Sequence, residues 1–313
     1  MRVLVTGGAG FVGSHVVAEA LGAGLEVAVL DDFSTGKRHN VPAGVRVFET
    51  DLRDRDATLR ALGDFQPDLV SHQAAQASVP VSMKDPRLDA EVNIIGGLNL
   101  LDACTAPGSQ VKKLVFASTG GAIYGEVPEG QQASETFPRE PKSPYGIHKL
   151  TFERLLEVYS ATRGLSSTVL RYANVYGPRQ DPHGEAGVVA IFFERALSGK
   201  SLTVFAKRTP GDGGCIRDYV FVGDVARANF QALTGALSHA VMNVGSGVAT
   251  TTRDLAQRIA RLANSSSSIQ DGDVRVGDLE RSLLDVGRFQ SSLGAPTPLE
   301  AGLSETARWY REQ

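Results

Sequence analysis

Through the first half of the chain, short apolar runs alternate with amphipathic stretches of helix length. Val3-Leu4-Val5, Val27-Ala28-Val29-Leu30, Val45-Arg46-Val47-Phe48, Leu69-Val70, Lys113-Leu114-Val115-Phe116 and Thr168-Val169-Leu170 read as strands. Most lack the in-out alternation of a half-exposed sheet, which fits strands covered on both faces. Strand and helix in repeated succession predict an α/β protein built on a doubly wound parallel sheet. After about residue 176 the rhythm breaks, and Pro178, Pro182 and Pro210 punctuate shorter elements. Val241-Met242-Asn243-Val244 reads as one more strand, and Ser265 to Ser268 as an exposed loop. The expected organisation is one domain over 1–176 and a smaller α/β lobe over 177–313, with segments near 215–235 and 240–246 returning to the first domain.

Composition excludes several classes. A chain of 313 residues can bury about 74% of its unfolded surface, enough for one large core or two unequal domains. Hydrophobic residues at 42% and charged residues at 21% are globular values, not those of a disordered chain. A net charge of −3 gives no basic field for nucleic acid or anionic lipid. The apolar run Val188 to Phe193 falls far short of the ~18 residues of a spanning helix. Three apolar residues before Gly7 are no signal-peptide core, which takes ~7–15. Cys104 and Cys215 offer neither a disulfide framework nor a metal-ligand spacing, so free thiols, a cytoplasmic setting and no metal are expected. Glycine departs from the ordinary: 34 of 313 residues, about 11% against a usual ~7%, which suggests tight turns or close backbone approach to a ligand.

One group of glycines has a definite setting. Thr6-Gly7-Gly8-Ala9-Gly10-Phe11-Val12-Gly13 follows the first strand directly, and a helical pattern (Val12, Val16, Val17, Ala20, Leu21) follows it. Strand, glycine turn and helix together form a Rossmann-like dinucleotide site, where a pyrophosphate approaches the helix N-terminus. Asp31 ends the second strand, eighteen residues after Gly13. A carboxylate there accepts from the ribose hydroxyls and repels a 2′-phosphate, which favours NAD over NADP. Lys37-Arg38 reads as a solvated loop. Asp51-Leu52 stands where an acid meets an adenine, although Asp51 as a helix N-cap fits equally.

A second constellation lies further on. Pro144 suits a first helical turn, and Tyr145, Lys149, Phe152, Leu156 and Tyr159 then share one face. The spacing of four puts phenol and ammonium one turn apart. A neighbouring cation favours phenolate, which makes a tyrosine usable as a base near neutral pH. Ser118-Thr119 ends the strand Val115-Phe116-Ala117, so a hydroxyl stands in the ligand crevice; Thr119 is the first choice and Ser118 the second.

The set TGGAGFVG, ASTGGAIYG, SPYGIHK, LRYANVYGPRQDP and GDGGCIRDYVFVGDVA resembles the extended short-chain dehydrogenase/reductase family, and within it the UDP-sugar 4-epimerases of UDP-glucose 4-epimerase type. The match runs over nearly the whole chain, through Arg275-Val276-Gly277-Asp278 to Gly302-Leu303. The resemblance implies that Tyr145 takes the proton of the sugar 4-hydroxyl while bound NAD takes the C4 hydride. The 4-keto sugar then turns over and is reduced on its other face. Lys149 would hold the nicotinamide ribose, and Thr119 or Ser118 would orient the 4-oxygen. It also implies Gly7, Gly10, Phe11, Val12 and Gly13 at the pyrophosphate, Asp31 at the adenosine ribose, Asp51 and Leu52 at adenine, Ala74, Ala75 and Gln76 under the cofactor, and Tyr172 near the nicotinamide. Asn174, Arg217, Arg275 and Asp278 fall on the substrate side, where two arginines can clamp a diphosphate. Val204 and Phe205 would supply backbone groups to uracil. Ser282, seven residues after Arg275, replaces a bulky pocket tyrosine and implies room for an N-acetyl group.

Family members pair as homodimers, and Leu98, Leu101, Leu155 and Val158 are the apolar positions expected to serve that contact. His148 is expected as an exposed helix residue, and His183, in Asp181-Pro182-His183-Gly184-Glu185, as a turn or subunit contact. The nearest alternatives are another sugar-nucleotide enzyme, a dehydratase or a reductase, and a non-catalytic NAD-binding redox sensor. A dehydratase would carry an acid-base pair after the catalytic threonine, where Gly120 and Gly121 stand. A reductase would favour NADPH, against Asp31. A sensor would have no need of Tyr145 and Lys149.

Overall fold

The computed structural model describes residues 1–183, 187–275 and 277–312, so Gly184, Glu185 and Val276 of the motifs above lie outside the described residues. In chain order the strands are β1 (Arg2–Thr6), β2 (Glu26–Asp31), β3 (Arg46–Glu49), β4 (Leu69–His72), β5 (Lys113–Thr119), β6 (Ser166–Tyr172), β7 (Asn174–Tyr176), β8 (Leu202–Phe205), β9 (Ile216–Phe221), β10 (Val241–Val244), β11 (Ala249–Thr251), β12 (Ile269–Gly272) and β13 (Arg281–Ser282). The helices used below are α1 (Phe11–Gly22), α2 (Arg55–Phe65), α3 (Val79–Lys84), α4 (Pro86–Ala90), α5 (Gly97–Cys104), α6 (Gly120–Ile123) and α7 (Pro144–Arg163), with one wide π-type turn, Glu91–Gly96, joining α4 to α5.

A seven-stranded sheet runs in the order β10-β6-β5-β4-β1-β2-β3. β1 pairs in parallel with β2 and β4, and so do β2 with β3 and β4 with β5. The fold is therefore the expected α/β type. Val3, Leu4, Val5, Val70, Leu114 and Val115 are fully buried, as uninterrupted apolar strands under two helical layers must be. Order reverses at β1, whose neighbours are β2 and β4. At such a point the loops diverge and leave a crevice at the carboxyl ends.

The helix α7 begins where its sequence says it should. Ser143 accepts from Gly146 N (3.2 Å), Pro144 occupies the first position, and Gly164 ends the helix at φ +70°. A Cβ on Gly97 would stand 2.3 Å from the Phe152 ring, so α5 can lie against α7 only through a glycine. Beneath α7, Glu153 accepts from Ser118 Oγ (2.5 Å), Arg171 Nε (3.0 Å) and Arg171 Nη2 (2.6 Å), all buried.

The chain divides into two compact units: residues 1–119, 143–171 and 225–242, and residues 120–142, 172–224 and 243–313. This differs from a first domain over 1–176. Residues 120–142 belong to the second unit because Ala133 donates to Leu283 O (2.9 Å) and Val127 to Arg281 O (3.2 Å). Residues 215–224 do so because β9 pairs with β7, β11 and β13. Residues 225–242 group with the first unit. Among the described residues no helix is long and apolar enough to cross a membrane, and no three metal-ligating side chains lie together.

Removing one partner of a buried ion pair leaves an uncompensated charge and costs about 3–5 kcal/mol. Glu153→Ala should lower unfolding free energy by about that much in denaturant titration, and Glu153→Leu/Arg171→Met by much less. A Glu153→Ala loss under about 1 kcal/mol would contradict the assignment of this pair as a support of β5, β6 and α7.

Candidate active site

The glycine turn sits at the reversal point, with Thr6 paired to His72 across β1 and β4. Gly7 has φ +65°, and a Cβ on it would stand 2.6 Å from Ala74 N. A Cβ on Gly13 would stand 2.0 Å from Gly7 O, so neither position admits a side chain. Gly10 precedes α1 with extended backbone and no side-chain cap, and the first turn carries no acid. The N–H groups of Phe11, Val12 and Gly13 have no intrahelical partner at this bare positive helix end, which fits the pyrophosphate of a dinucleotide.

Asp31 is buried and accepts from Ala9 N and Phe33 N, both at 2.9 Å. Burial pushes its carboxyl above the ordinary aspartate value. Each oxygen keeps a lone pair for a hydroxyl donor. Arg38 pairs with Glu49 and lies over the Phe33 ring at 4.2 Å. Asp51 is no N-cap: Asp54 caps α2 through Ala57 N (2.9 Å). The Asp51 carboxylate lies instead against Arg53 (2.6 Å), whose hydrogen bond holds it below the usual range. Leu52 is buried, and its carbonyl accepts from Asn99 Nδ2 (2.8 Å). Ala74 N donates to Thr6 Oγ1 (3.3 Å), Ala75 is half-buried beside it, and the Gln76 amide is committed to Ser78 and Asp89.

Tyr145 is half-buried in the first turn of α7. Lys149 is buried and donates from Nζ to Ala117 O (2.9 Å), with Nζ 5.9 Å from the Tyr145 ring centroid and 4.8 Å from that of Phe116. His72 lies close by, its Nδ1 2.8 Å from Thr6 Oγ1 and its ring against Phe116 and Phe152. Burial, and then the Lys149 charge, push His72 down to about 3, so it stays neutral. The two candidate hydroxyls separate: Ser118 donates to Glu153, whereas Thr119 ends β5 directly before α6. His148 is not the exposed residue the sequence suggested. Its ring nitrogen reaches the buried Asp89 carboxylate.

In the second unit, Tyr172 is buried at the end of β6 and Asn174 opens β7, paired with Tyr219 of β9. Arg217 pairs with Ser282 across β9 and β13, so both side chains leave the sheet on one side. Ser282 is buried. Beside Arg217, Asp218 accepts from Ser246 N, Ser246 Oγ, Gly247 N and Leu284 N, and burial raises its carboxyl. Val204 and Phe205 belong to a separate two-stranded sheet, β8 with β12. The Arg275 guanidinium covers the Phe205 ring at 3.5 Å, and Asp278 N donates to Arg275 O (3.3 Å). The substrate-side candidates thus form two groups on two sheets. His183 is exposed, its N–H bonded to Asp181.

Sequence reasoning passed over Glu153, Arg171, His72 and Asp89. One signal was present: Glu153 follows Lys149 by four residues, an acid on the apolar face of α7.

The chain matches the model of the NAD dependent epimerase/dehydratase family over residues 3–245. It is similar to the Thermus thermophilus UDP-glucose 4-epimerase solved in complex with NAD, at 56% identity and TM-score 0.94, covering 99% of each chain. It is similar to the Thermotoga maritima UDP-glucose 4-epimerase solved with UDP-glucose, at 44% identity and TM-score 0.92, over 100% of this chain and 99% of that one. A UDP-N-acetylglucosamine 4-epimerase from Methanobrevibacter ruminantium, in complex with UDP-N-acetylmuramic acid, aligns at 34% identity and TM-score 0.89, over 100% of this chain and 98% of that one.

Proposed function

The chain belongs to the UDP-glucose 4-epimerases of the NAD dependent epimerase/dehydratase family, and from that membership we propose how its residues interconvert UDP-glucose and UDP-galactose. The observation that carries the reading is a buried Lys149, fixed to Ala117 O, with Tyr145 one turn before it. Tyr145 accepts the proton of the sugar 4-hydroxyl and later returns it, and the Lys149 charge favours the phenolate that this requires. Thr119 hydrogen-bonds the 4-oxygen, because Ser118 is committed to Glu153. NAD, when bound, supplies the acceptor and donor of the C4 hydride and ends unchanged. It is held by Gly7, Gly10, Phe11, Val12 and Gly13 at the pyrophosphate, Asp31 at the ribose, Asp51 and Leu52 at adenine, Ala74, Ala75 and Gln76 beneath, and Lys149 and Tyr172 at the nicotinamide end. Asn174, Arg217 and Arg275 take the diphosphate side, Asp278 contributes to substrate binding, and Val204 and Phe205 take the uracil. Gly120 and Gly121 carry no proton, which argues against dehydration.

Purified protein should convert UDP-galactose to UDP-glucose without added reductant. Tyr145→Phe should keep bound NAD and lose turnover by ~10²–10⁴. Turnover of Tyr145→Phe near that of the wild type would remove Tyr145 from the proton transfer.

Substrate breadth follows from Ser282. A serine in place of a tyrosine leaves room for an N-acetyl group, and the similarity to a UDP-N-acetylglucosamine 4-epimerase supports this. Both UDP-hexoses and their N-acetyl counterparts should react, and Ser282→Tyr should cost the N-acetyl pair roughly 5- to 150-fold in kcat/KM. No wild-type activity on UDP-N-acetylglucosamine would sink the idea.

The proposed assembly is a cytoplasmic homodimer. Of the four positions expected at the contact, Leu101 is core, Leu98 and Leu155 are half-buried against the core, and Val158 is exposed. Ile95 and Ile147 are exposed as well and carry the apolar face. Light scattering at micromolar concentration should give twice the chain mass; a monomer would refute the dimer.

A further inference from the structure

His148 is the residue the sequence singled out and the proposed chemistry leaves unused. It follows Tyr145 by three residues and directly precedes Lys149. Its Nδ1 lies 2.5 Å from Asp89 Oδ1, and the Asp89 side chain is fully buried. A carboxylate only accepts, so Nδ1 carries the hydrogen. The other oxygen, Oδ2, accepts from Gln76 Nε2 (2.5 Å). Gln76 is fixed in turn: Nε2 also donates to Ser78 O (3.0 Å), Oε1 accepts from Ser78 N (2.6 Å), and its backbone carbonyl accepts from Asn93 Nδ2 (2.9 Å). One buried charge therefore joins the helix carrying Tyr145 and Lys149 to the loop that holds Ala74 against the glycine turn.

We infer that the Gln76–Asp89–His148 bridge is a positioning device for the reaction, and that His148 acts through it to fix the Tyr145–Lys149 helix relative to the cofactor loop. A surface histidine would be replaceable. A histidine bonded to a fully buried carboxylate is not, because losing it leaves an acid in low dielectric without one of its two donors. The consequence for catalysis is geometric. A misplacement of about 1 Å between reacting groups is worth up to ~100-fold in rate without any lost contact to substrate.

The inference rests on the roles given above to Tyr145 and Lys149, so wild type is assayed first: an inert wild type refutes those roles, not the bridge. The test uses the holoenzyme and reads kcat and KM for UDP-galactose, NAD released on denaturation, and melting temperature. His148→Ala should lower kcat ~10- to 100-fold with NAD content kept and KM within about twofold. His148→Asn, whose amide N–H can reach Asp89, should recover most of that loss. A His148→Ala kcat within about twofold of wild type overturns the inference. So does a loss confined to KM, or one that Asn does not recover. Should His148→Ala fail to fold, Asp89→Ala/His148→Ala removes the charge together with its partner and should fold while keeping the low kcat. A double variant with wild-type kcat, or one that does not fold, places the bridge outside catalysis and overturns the inference as well.

Discussion

Two stretches of backbone, at Gly7 and at Ala74, pass at the carboxyl end of β1 with no room for a side chain between them. Much of the first unit is arranged around that contact. It forces glycine at 7, and Gly7 O in turn forces glycine at 13. The turn so formed ends on a helix without a capping side chain, and the Thr6 hydroxyl serves both Ala74 N and the His72 ring. Asp31 then holds Ala9 from the second strand. Backbone N–H groups and a helix dipole at this turn suit the pyrophosphate of the proposed cofactor site, donors that need no lysine or arginine.

Around this contact, buried acids hold structure together. Glu153 joins β5, β6 and α7, Asp31 ties β2 to the glycine turn, and Asp89 ties α4 to the loop and to α7. A buried carboxylate needs hydrogen-bond donors to be stable, and each of these acids takes donors from the protein itself. Near Thr119 the effect is clear. Ser118 is drawn to Glu153, and the two residues after Thr119 are glycines. That leaves Tyr145 as the group to which the proposed proton transfer is assigned.

Most of the seven-stranded sheet was legible because its strands are short apolar runs, and each of the six early runs became a strand. The glycine turn and α7 were legible because backbone sterics and capping are local properties. The grouping of residues 120–142 was not, since it depends on Val127 and Ala133 meeting Arg281 and Leu283, about 150 residues away. The state of His148 escaped for the same reason. Its partner Asp89 is 59 residues distant, and a histidine on a helix carries no local sign of a buried acid facing it. Asp51 and Asp54 both suit an N-cap by residue type, and only the start of α2 at Arg55 decides between them.

The side on which Ser282 lies is a question of register, and in the second unit charged groups settle it. Strand side chains alternate with period two, so a slip of one residue would bring Arg281 to the side that faces with Arg217. β13 is only two residues long and has little ladder to resist such a slip. Its anchoring comes from outside the ladder. The Arg281 guanidinium donates to Val127 O (3.2 Å), Pro128 O (2.7 Å) and Gln131 O (2.7 Å). The Glu126 carboxylate accepts from Glu280 N (2.5 Å) and Arg281 N (3.1 Å). Five bonds to one loop, four from Arg281 and one from Glu280, hold Arg281 on its own side, and alternation then leaves only one side for Ser282, the side of Arg217.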